Sequence, residues 1–141
     1  MSVFDSVVVG ATDSEGAERA FRRALDLTRA TGGTLHIVAA IDAKTDSKAV
    51  PWLPDEFRYT AFGAGAADWL LMRLRKEAAD ADVDVATHPV LDEPAGAITR
   101  VAANERADLV VVGSGSTHGV RSLAHVPKAV MDHVGCAVLV V

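Results

Sequence analysis

The feature that most constrains this fold is a set of five short runs in which hydrophobic residues stand at consecutive positions instead of alternating ones. The runs are Ser6 to Gly10, Thr34 to Ile41, Asp84 to Val90, Ala107 to Gly113 and Ala137 to Val141. Strands that are apolar on both faces are typical of a parallel sheet covered by helices on both sides. The runs therefore predict five strands of a buried parallel sheet.

Helical periodicity occupies the segments between these runs. Apolar residues recur at spacings of three and four from Ala17 to Arg29, from Ala67 to Ala78 and after Pro94. A fourth pattern is expected to begin at Pro127, because proline suits the first turn of a helix. The alternation predicts a three-layer α/β/α, doubly wound domain, for which the strand orders 2-1-3-4-5 and 3-2-1-4-5 both fit the segment lengths.

The chain length bounds the number of domains. With 141 residues, half of them hydrophobic, the sequence predicts a single domain over residues 1–141. One irregular stretch, residues 42–65, separates the second strand from the second helix and is rich in proline and aromatic residues. We expect this stretch to form a flap docked on the domain, because loops of that length are commonly functional and its aromatic residues favour packing.

Charge and cysteine content exclude several classes of partner. The 14 Lys and Arg residues against 19 Asp and Glu give a net charge of −5, which argues against binding to nucleic acid or anionic lipid. No apolar stretch approaches the length that spans a bilayer, and the N-terminal residues do not resemble a secretory signal. The single cysteine, Cys136, cannot form an intramolecular disulfide. We expect a cytoplasmic protein that binds neither nucleic acid nor membrane.

Two segments each follow a strong strand and open a helix: V-V-V-G-A-T-D-S-E-G-A-E-R-A from Val7 and V-V-V-G-S-G-S-T-H-G-V-R-S-L-A-H-V-P from Val110. With the α/β order and the ending C-A-V-L-V-V, they make the chain resemble the universal stress protein (UspA-like) family along essentially its whole length. The resemblance implies a Rossmann-like sheet of order 3-2-1-4-5. It places a ligand crevice between strands one and four, bracketed by these two segments.

The resemblance also implies an adenine-nucleotide site. The positions that match it are Ala11, Thr12, Asp13, Val38, Gly113, Ser114, Ser116, His125 and Val126. Gly113 is expected to line the phosphate path, so a branched side chain there should weaken nucleotide binding.

The phosphate loop departs from the family pattern. Nucleotide-binding members carry G-x2-G-x9-G-[ST] after strand four, but here Ser116 replaces the second glycine and Ala124-His125 replace the final Gly-Ser pair. Directly after the first strand, Thr12 stands where the family usually has aspartate, and Asp13 follows one residue later. These departures predict that adenine-nucleotide binding is weakened or lost.

Other polar residues have more ordinary interpretations. Asp92 or Glu93 is expected to cap the helix that begins at Pro94, although either carboxylate could instead face the crevice and repel phosphate. His36 and His88 lie inside predicted strands without metal-ligand spacing, so both are interpreted as structural histidines. No metal site and no catalytic residue is predicted.

Three functional hypotheses follow. The first is a UspA-like stress-response module that acts by binding or protein interaction, is not an enzyme and requires no cofactor. The second is a sensor of ATP, AMP or a cyclic nucleotide with an altered phosphate loop. The third is an enzyme or a phospho-receiver. It is the weakest, because the sequence contains neither a nucleophile elbow nor the lysine that a receiver has after strand five. The resemblance further implies a homodimer that pairs through the last strand, Ala137 to Val141.

Overall fold

A computed structural model of the chain describes residues 3–41, 64–114 and 121–141, with the backbone alone for residues 64 and 121–125. Its strands are β1 (Ser6–Gly10), β2 (Thr34–Ala40), β3 (Asp84–Val90), β4 (Leu109–Val112) and β5 (Ala137–Val140). Its helices are α1 (Glu15–Thr31), α2 (Ala64–Asp80), α3 (Pro94–Asn104) and α4 (Arg121–His133). Most of the flap expected over residues 42–65 lies outside the described residues, and its last two residues belong to α2.

The five strands form one parallel sheet of order β3-β2-β1-β4-β5, which confirms the doubly wound topology. The middle of its central strand β1 is buried, with Val7, Val8 and Val9 inaccessible to solvent. Alternate side chains of the central strands enter two separate cores, because successive residues of a strand point to opposite faces. This explains why the strands are apolar at consecutive positions.

Each face of the sheet is covered by two helices. On one face, Val7 and Val9 pack with Phe21 of α1 and with Leu71 and Leu74 of α2. On the other face, the core combines even-numbered strand residues with side chains of α3 and α4: Val8, Val38, Val110, Val112, Ile98, Val101 and Val130. The three-layer architecture expected from the sequence is therefore confirmed.

Helix α4 begins six residues earlier than expected. The sequence pattern predicts its start at Pro127, but the helix begins at Arg121 and contains the proline in its interior. Val126 and Val130, one turn apart, both pack against the core on the α3 side of the sheet. Burial of this shared face stabilises the helix across Pro127, although the proline lacks the N–H of one backbone hydrogen bond.

The described helices give no indication of a membrane-spanning segment. Within residues 3–41, 64–114 and 121–141, none of the helices combines the length and the apolar character needed to cross a bilayer.

Candidate functional site

A cleft opens at the carboxyl ends of β1 and β4, where the strand order reverses direction. This topological switch point is the usual ligand position in doubly wound sheets. The cleft contains about 560 Å³ of empty space when the part open to solvent is included. Its described lining is Gly10, Ala11, Thr12, Ser14, Gly16, Ala17, Val38, Ala40, Pro94, Ile98, Val112, Gly113 and Val126.

The described lining of the cleft is mainly apolar and contains no charged side chain. Val38, Ile98 and Val112 form an apolar wall that belongs to the α3 and α4 core. A wall of this kind suits the flat, apolar faces of a purine base, whereas polar groups of the turn after β1 supply orientation. The phosphate of a nucleotide would need polar partners from other parts of the site.

The turn after β1 is held in place by a short chain of hydrogen bonds. The Ala11 N–H donates to the Val38 carbonyl oxygen at 2.7 Å, which ties this turn to β2. The hydroxyls of Thr12 and Ser14 share a hydrogen bond of 2.8 Å. Ser14 is the N-cap of α1, and its Oγ accepts a hydrogen bond from the Ala17 N–H at 3.2 Å. The first turn of α1 is thereby fixed against the cleft.

The amino end of α1 offers the cleft backbone N–H donors. The first N–H groups of a helix have no intrahelical partner and attract anions. Gly16, in the first turn, is buried and lines the cleft. Glu18 of the same turn lies within 3.5 Å of Arg22 and 3.8 Å of Arg73, so its negative charge is partly balanced. Because Ser14 Oγ already accepts the Ala17 N–H, this helix end could contact a phosphate through the N–H groups of Glu15 and Gly16, against the charge of the exposed Glu15 carboxylate.

Gly113 has a structural role that the sequence interpretation missed. A Cβ atom built on Gly113 would lie 2.5 Å from the backbone oxygen of Gly16 and 2.6 Å from its carbonyl carbon. The end of β4 therefore packs directly on the backbone of α1. A side chain at Gly113 would first collide with this helix backbone, and its expected effect on the phosphate path of a nucleotide remains a prediction.

Only some of the site residues predicted from the sequence line the cleft. Five of them line the cleft: Ala11, Thr12, Val38, Gly113 and Val126. Asp13 is exposed, and neither Asp13 nor Ser114 belongs to the described lining. Instead, the Ser114 N–H donates to the Val141 carbonyl oxygen at 2.8 Å and extends the pairing of β4 with β5. Ser116 and the side chain of His125 lie outside the part of the chain that the structure describes.

Asp92 lies next to the cleft but is not part of its described lining, and two contacts hold its carboxylate. One carboxylate oxygen accepts the Glu93 N–H at 2.8 Å, and the other lies 3.1 Å from an Arg100 guanidinium nitrogen. Glu93 occupies the N-cap position of α3, but its side chain makes no capping hydrogen bond. Because Arg100 pairs with Asp92, the structure gives little support for strong repulsion of phosphate by this carboxylate.

The two histidines interpreted as separate structural residues are in contact. His36 Nδ1 lies 2.9 Å from His88 Nε2, and His36 Nε2 lies 4.0 Å from a carboxylate oxygen of Glu105. His36 is buried, and burial lowers its pKa; His88 lowers this pKa further, while Glu105 acts in the opposite direction. Spacing along the chain could not reveal the contact, but the order 3-2-1-4-5 makes β2 and β3 neighbours.

The order of the strands, the polar turn after β1 and the helix end beside it define a doubly wound α/β domain with a ligand-sized cleft at the switch point of its sheet. Its family follows from comparison with known proteins. The universal stress protein family matches residues 4–141, and this chain belongs to that family.

Individual relatives agree with this assignment. Universal stress protein Rv1636 of Mycobacterium tuberculosis strain H37Rv is 31% identical, over all of this chain and 98% of the relative. A universal stress protein crystallised in complex with cAMP is 33% identical, with a TM-score of 0.74 over 99% of this chain and 98% of the other. The Archaeoglobus fulgidus universal stress protein in complex with dAMP is 19% identical, with a TM-score of 0.69 over 98% of each chain, and supports the fold alone.

Proposed function

We propose that this chain is a binding module that takes an adenine nucleotide with one phosphate group, and that it acts by binding instead of catalysis. The observation that carries the proposal is the preformed apolar cleft between Ala11, Val38 and Gly113 at the switch point of the sheet. The 33% identical relative in complex with cAMP supports an adenine nucleotide as the ligand. Stress response is the role proposed from membership of the family.

A single phosphate fits the polar groups near the cleft better than a triphosphate does. The described lining offers the amino end of α1 and the hydroxyls of Thr12 and Ser14, but no Lys or Arg. The loop that supplies glycine N–H groups to a triphosphate in the family has Ser116 in place of its second glycine. We therefore propose that AMP or cAMP binds more tightly than ATP, whose dissociation constant should be weaker than about 1 mM, or roughly −4 kcal/mol.

Titration calorimetry with AMP, cAMP and ATP tests the proposal. Any nucleotide that co-purifies is first released from a sample by heating and identified by mass spectrometry. The titrations then use protein from which this nucleotide has been removed. We expect measurable binding of AMP or cAMP at least roughly tenfold tighter than that of ATP. Micromolar ATP binding would contradict the preference, and no binding of any of the three at 1 mM ligand would contradict the nucleotide site itself.

A filled-cleft variant locates the binding. Ala40 lines the cleft, so Ala40→Leu should occupy part of the apolar space and weaken AMP or cAMP binding at least roughly tenfold. Ala79→Leu makes the same change at an exposed position of α2 and should leave binding unchanged. Equal losses in both variants would indicate a general defect, and unchanged binding in Ala40→Leu would place the ligand elsewhere.

A further inference from the structure

A cluster of metal-ligand side chains lies on the α3 side of the sheet, outside the cleft. It consists of His36 from β2, His88 from β3 and Glu105 directly after α3. When one donor atom is taken from each residue, the three atoms all lie within 4.8 Å of one another. None of the three lines the cleft. Glu105 follows the carboxyl end of α3, about 16 Å along the helix from Pro94 at the cleft, from a rise of 1.5 Å per residue.

The three donors come from well-anchored backbone positions. In the sheet, His36 pairs with Val8 on one side and with Ala86 on the other, and His88 pairs with Val38. His88 therefore lies two residues further along its strand than the partner of His36, so the two side chains share a face and meet diagonally. The imidazole rings are tilted by 40° with centroids 5.1 Å apart, which lets nitrogen atoms face each other instead of stacking the rings.

The third donor residue, Glu105, is held by hydrogen bonds at both its backbone N–H and its backbone carbonyl oxygen. The Glu105 N–H donates to the Val101 carbonyl oxygen at 2.9 Å, and the Glu105 carbonyl oxygen accepts a hydrogen bond from Ser6 Oγ at 3.1 Å. The bond to Ser6 ties the end of α3 to the start of β1. The Glu105 side chain is 40% exposed, so its carboxylate has room to turn toward His36.

We propose that His36, His88 and Glu105 bind a divalent transition metal ion of the zinc class. Two imidazole nitrogens and one carboxylate form a ligand set that Zn²⁺ accepts, with a fourth coordination position left for water. Hard cations such as Mg²⁺ and Ca²⁺ prefer sets composed of oxygen atoms, so two imidazoles disfavour them. The site is independent of nucleotide binding and would exist whether or not the cleft holds a ligand.

Zinc binding requires the donor atoms to rearrange, most of all Glu105, whose 4.0 Å contact is with His36 Nε2 and not with the Nδ1 that faces His88. Ligand atoms of a tetrahedral site with Zn–N bonds of about 2.1 Å stand about 3.4 Å apart. His36 Nδ1 and His88 Nε2 lie 2.9 Å apart, so they must separate by roughly half an ångström. In the metal-free protein this contact is a hydrogen bond, which needs a proton on one nitrogen and a lone pair on the other. On metal binding that proton moves to the other nitrogen of the same imidazole ring, which leaves both facing nitrogens with a lone pair for the ion.

Zinc titration of tag-free, chelator-treated protein tests the proposal, with nucleotide omitted because phosphates bind metals. Calorimetry with ZnCl₂ at neutral pH should show one tight site per chain. His88→Ala removes a donor from a half-buried position on an edge strand and should weaken this site at least roughly tenfold, since even the loss of an outer-shell partner of a metal ligand costs about that much. Glu105→Gln changes an exposed donor and should weaken it in the same direction.

A matched control separates this site from other histidines. His133 is exposed near the carboxyl end of α4, where its Nδ1 contacts the Ala129 carbonyl oxygen at 2.8 Å, so His133→Ala should leave zinc affinity unchanged. Circular dichroism confirms that each variant is folded. The proposal is overturned if the unmodified protein binds no zinc at 1 mM, or if folded His88→Ala loses less than tenfold. Zinc-edge anomalous diffraction should place the ion between His36 and His88, and density at other residues would also overturn it.

Discussion

Gly113 packs directly against the backbone of Gly16, so closely that a Cβ atom at Gly113 would lie 2.5 Å from the Gly16 carbonyl oxygen. This contact joins the end of β4 to the first turn of α1, and both residues also line the cleft. Close packing against α1 therefore requires a glycine at position 113, whether or not a ligand is bound. A substitution at Gly113 does not report on phosphate binding alone.

Gly113→Ala should lower the free energy of unfolding by about 1 to 3 kcal/mol, because the backbone of α1 must move to accept the methyl group. Urea unfolding followed by circular dichroism measures the change. Gly65→Ala is the matched control: nothing lies within 4 Å of its added Cβ, so the helix should gain up to about 1 kcal/mol. Equal stability of Gly113→Ala and the unmodified protein would contradict the tight contact.

Asp13 and Thr12 should differ in their effects on nucleotide affinity. Asp13 is exposed and outside the described lining, so Asp13→Asn should change AMP or cAMP affinity by less than about threefold, since solvent and salt screen its charge. Thr12→Val removes the hydroxyl that bonds Ser14 and should weaken binding more. Calorimetry compares the two variants. A large loss in Asp13→Asn would show that this carboxylate positions the ligand.

Burial of His36 should make stability depend on pH. Because the folded-state pKa of His36 is lowered below the ordinary value of about 6.5, the unfolded chain binds more protons between those two values. The free energy of unfolding should therefore be constant above about pH 6.5 in this respect and should fall as the pH drops through the window below it. His36→Gln should reduce this dependence, whereas His133→Gln should not.

Urea unfolding at pH 7.5 and 5.5, with a chelator present, measures the effect of His36. The chelator keeps metal ions from contributing to the difference between the two pH values. An identical pH dependence in the unmodified protein and His36→Gln would contradict the assignment to this histidine.

The exposed edge of β5 should mediate a two-fold dimer. The Val141 N–H donates to the Val112 carbonyl oxygen at 2.9 Å, and the Val141 carbonyl oxygen accepts the Ser114 N–H. Because a strand alternates with a period of two, the N–H and C=O of Val140 point away from β4. No strand within the described residues pairs with this edge, and an open edge favours pairing with a second copy.

Val140→Pro should convert the dimer to a monomer, because it removes a donor from the open edge while leaving the bonds to β4 intact. Val140→Thr retains the N–H and should remain dimeric. Val138 is unsuitable for this test, since its side chain packs against the core. Light scattering should give about 30 kDa for the unmodified protein, twice the 14.8 kDa of one chain. A mass near 15 kDa at micromolar concentration would contradict the dimer.

Much of the fold could be predicted because the strands are continuous apolar runs. The predicted bounds of β1 and β3 agree with the structure, and the other strands differ by one or two residues at their ends. The start of α4 could not be predicted, because Pro127 resembles a helix start and only the packing of Val126 and Val130 overrides it.

The site was less accessible to sequence reasoning than the fold. Residues that follow strands, such as Ala11 and Thr12, could be placed at the switch point by topology. The contact between Gly113 and Gly16 depends on how closely a strand approaches a helix, and the contact of His36 with His88 depends on strand order and register. Neither quantity is encoded by local spacing.

The two edge strands of the sheet, β3 and β5, differ in their ability to pair with a further strand. Pro89 lies in β3, the edge strand opposite β5, and proline has no N–H to offer a further strand. If two copies join through β5, the combined ten-stranded sheet presents a proline-bearing strand at each end. Assembly would then end at two chains, and the proline would protect the dimer from extending into fibres at high protein concentration.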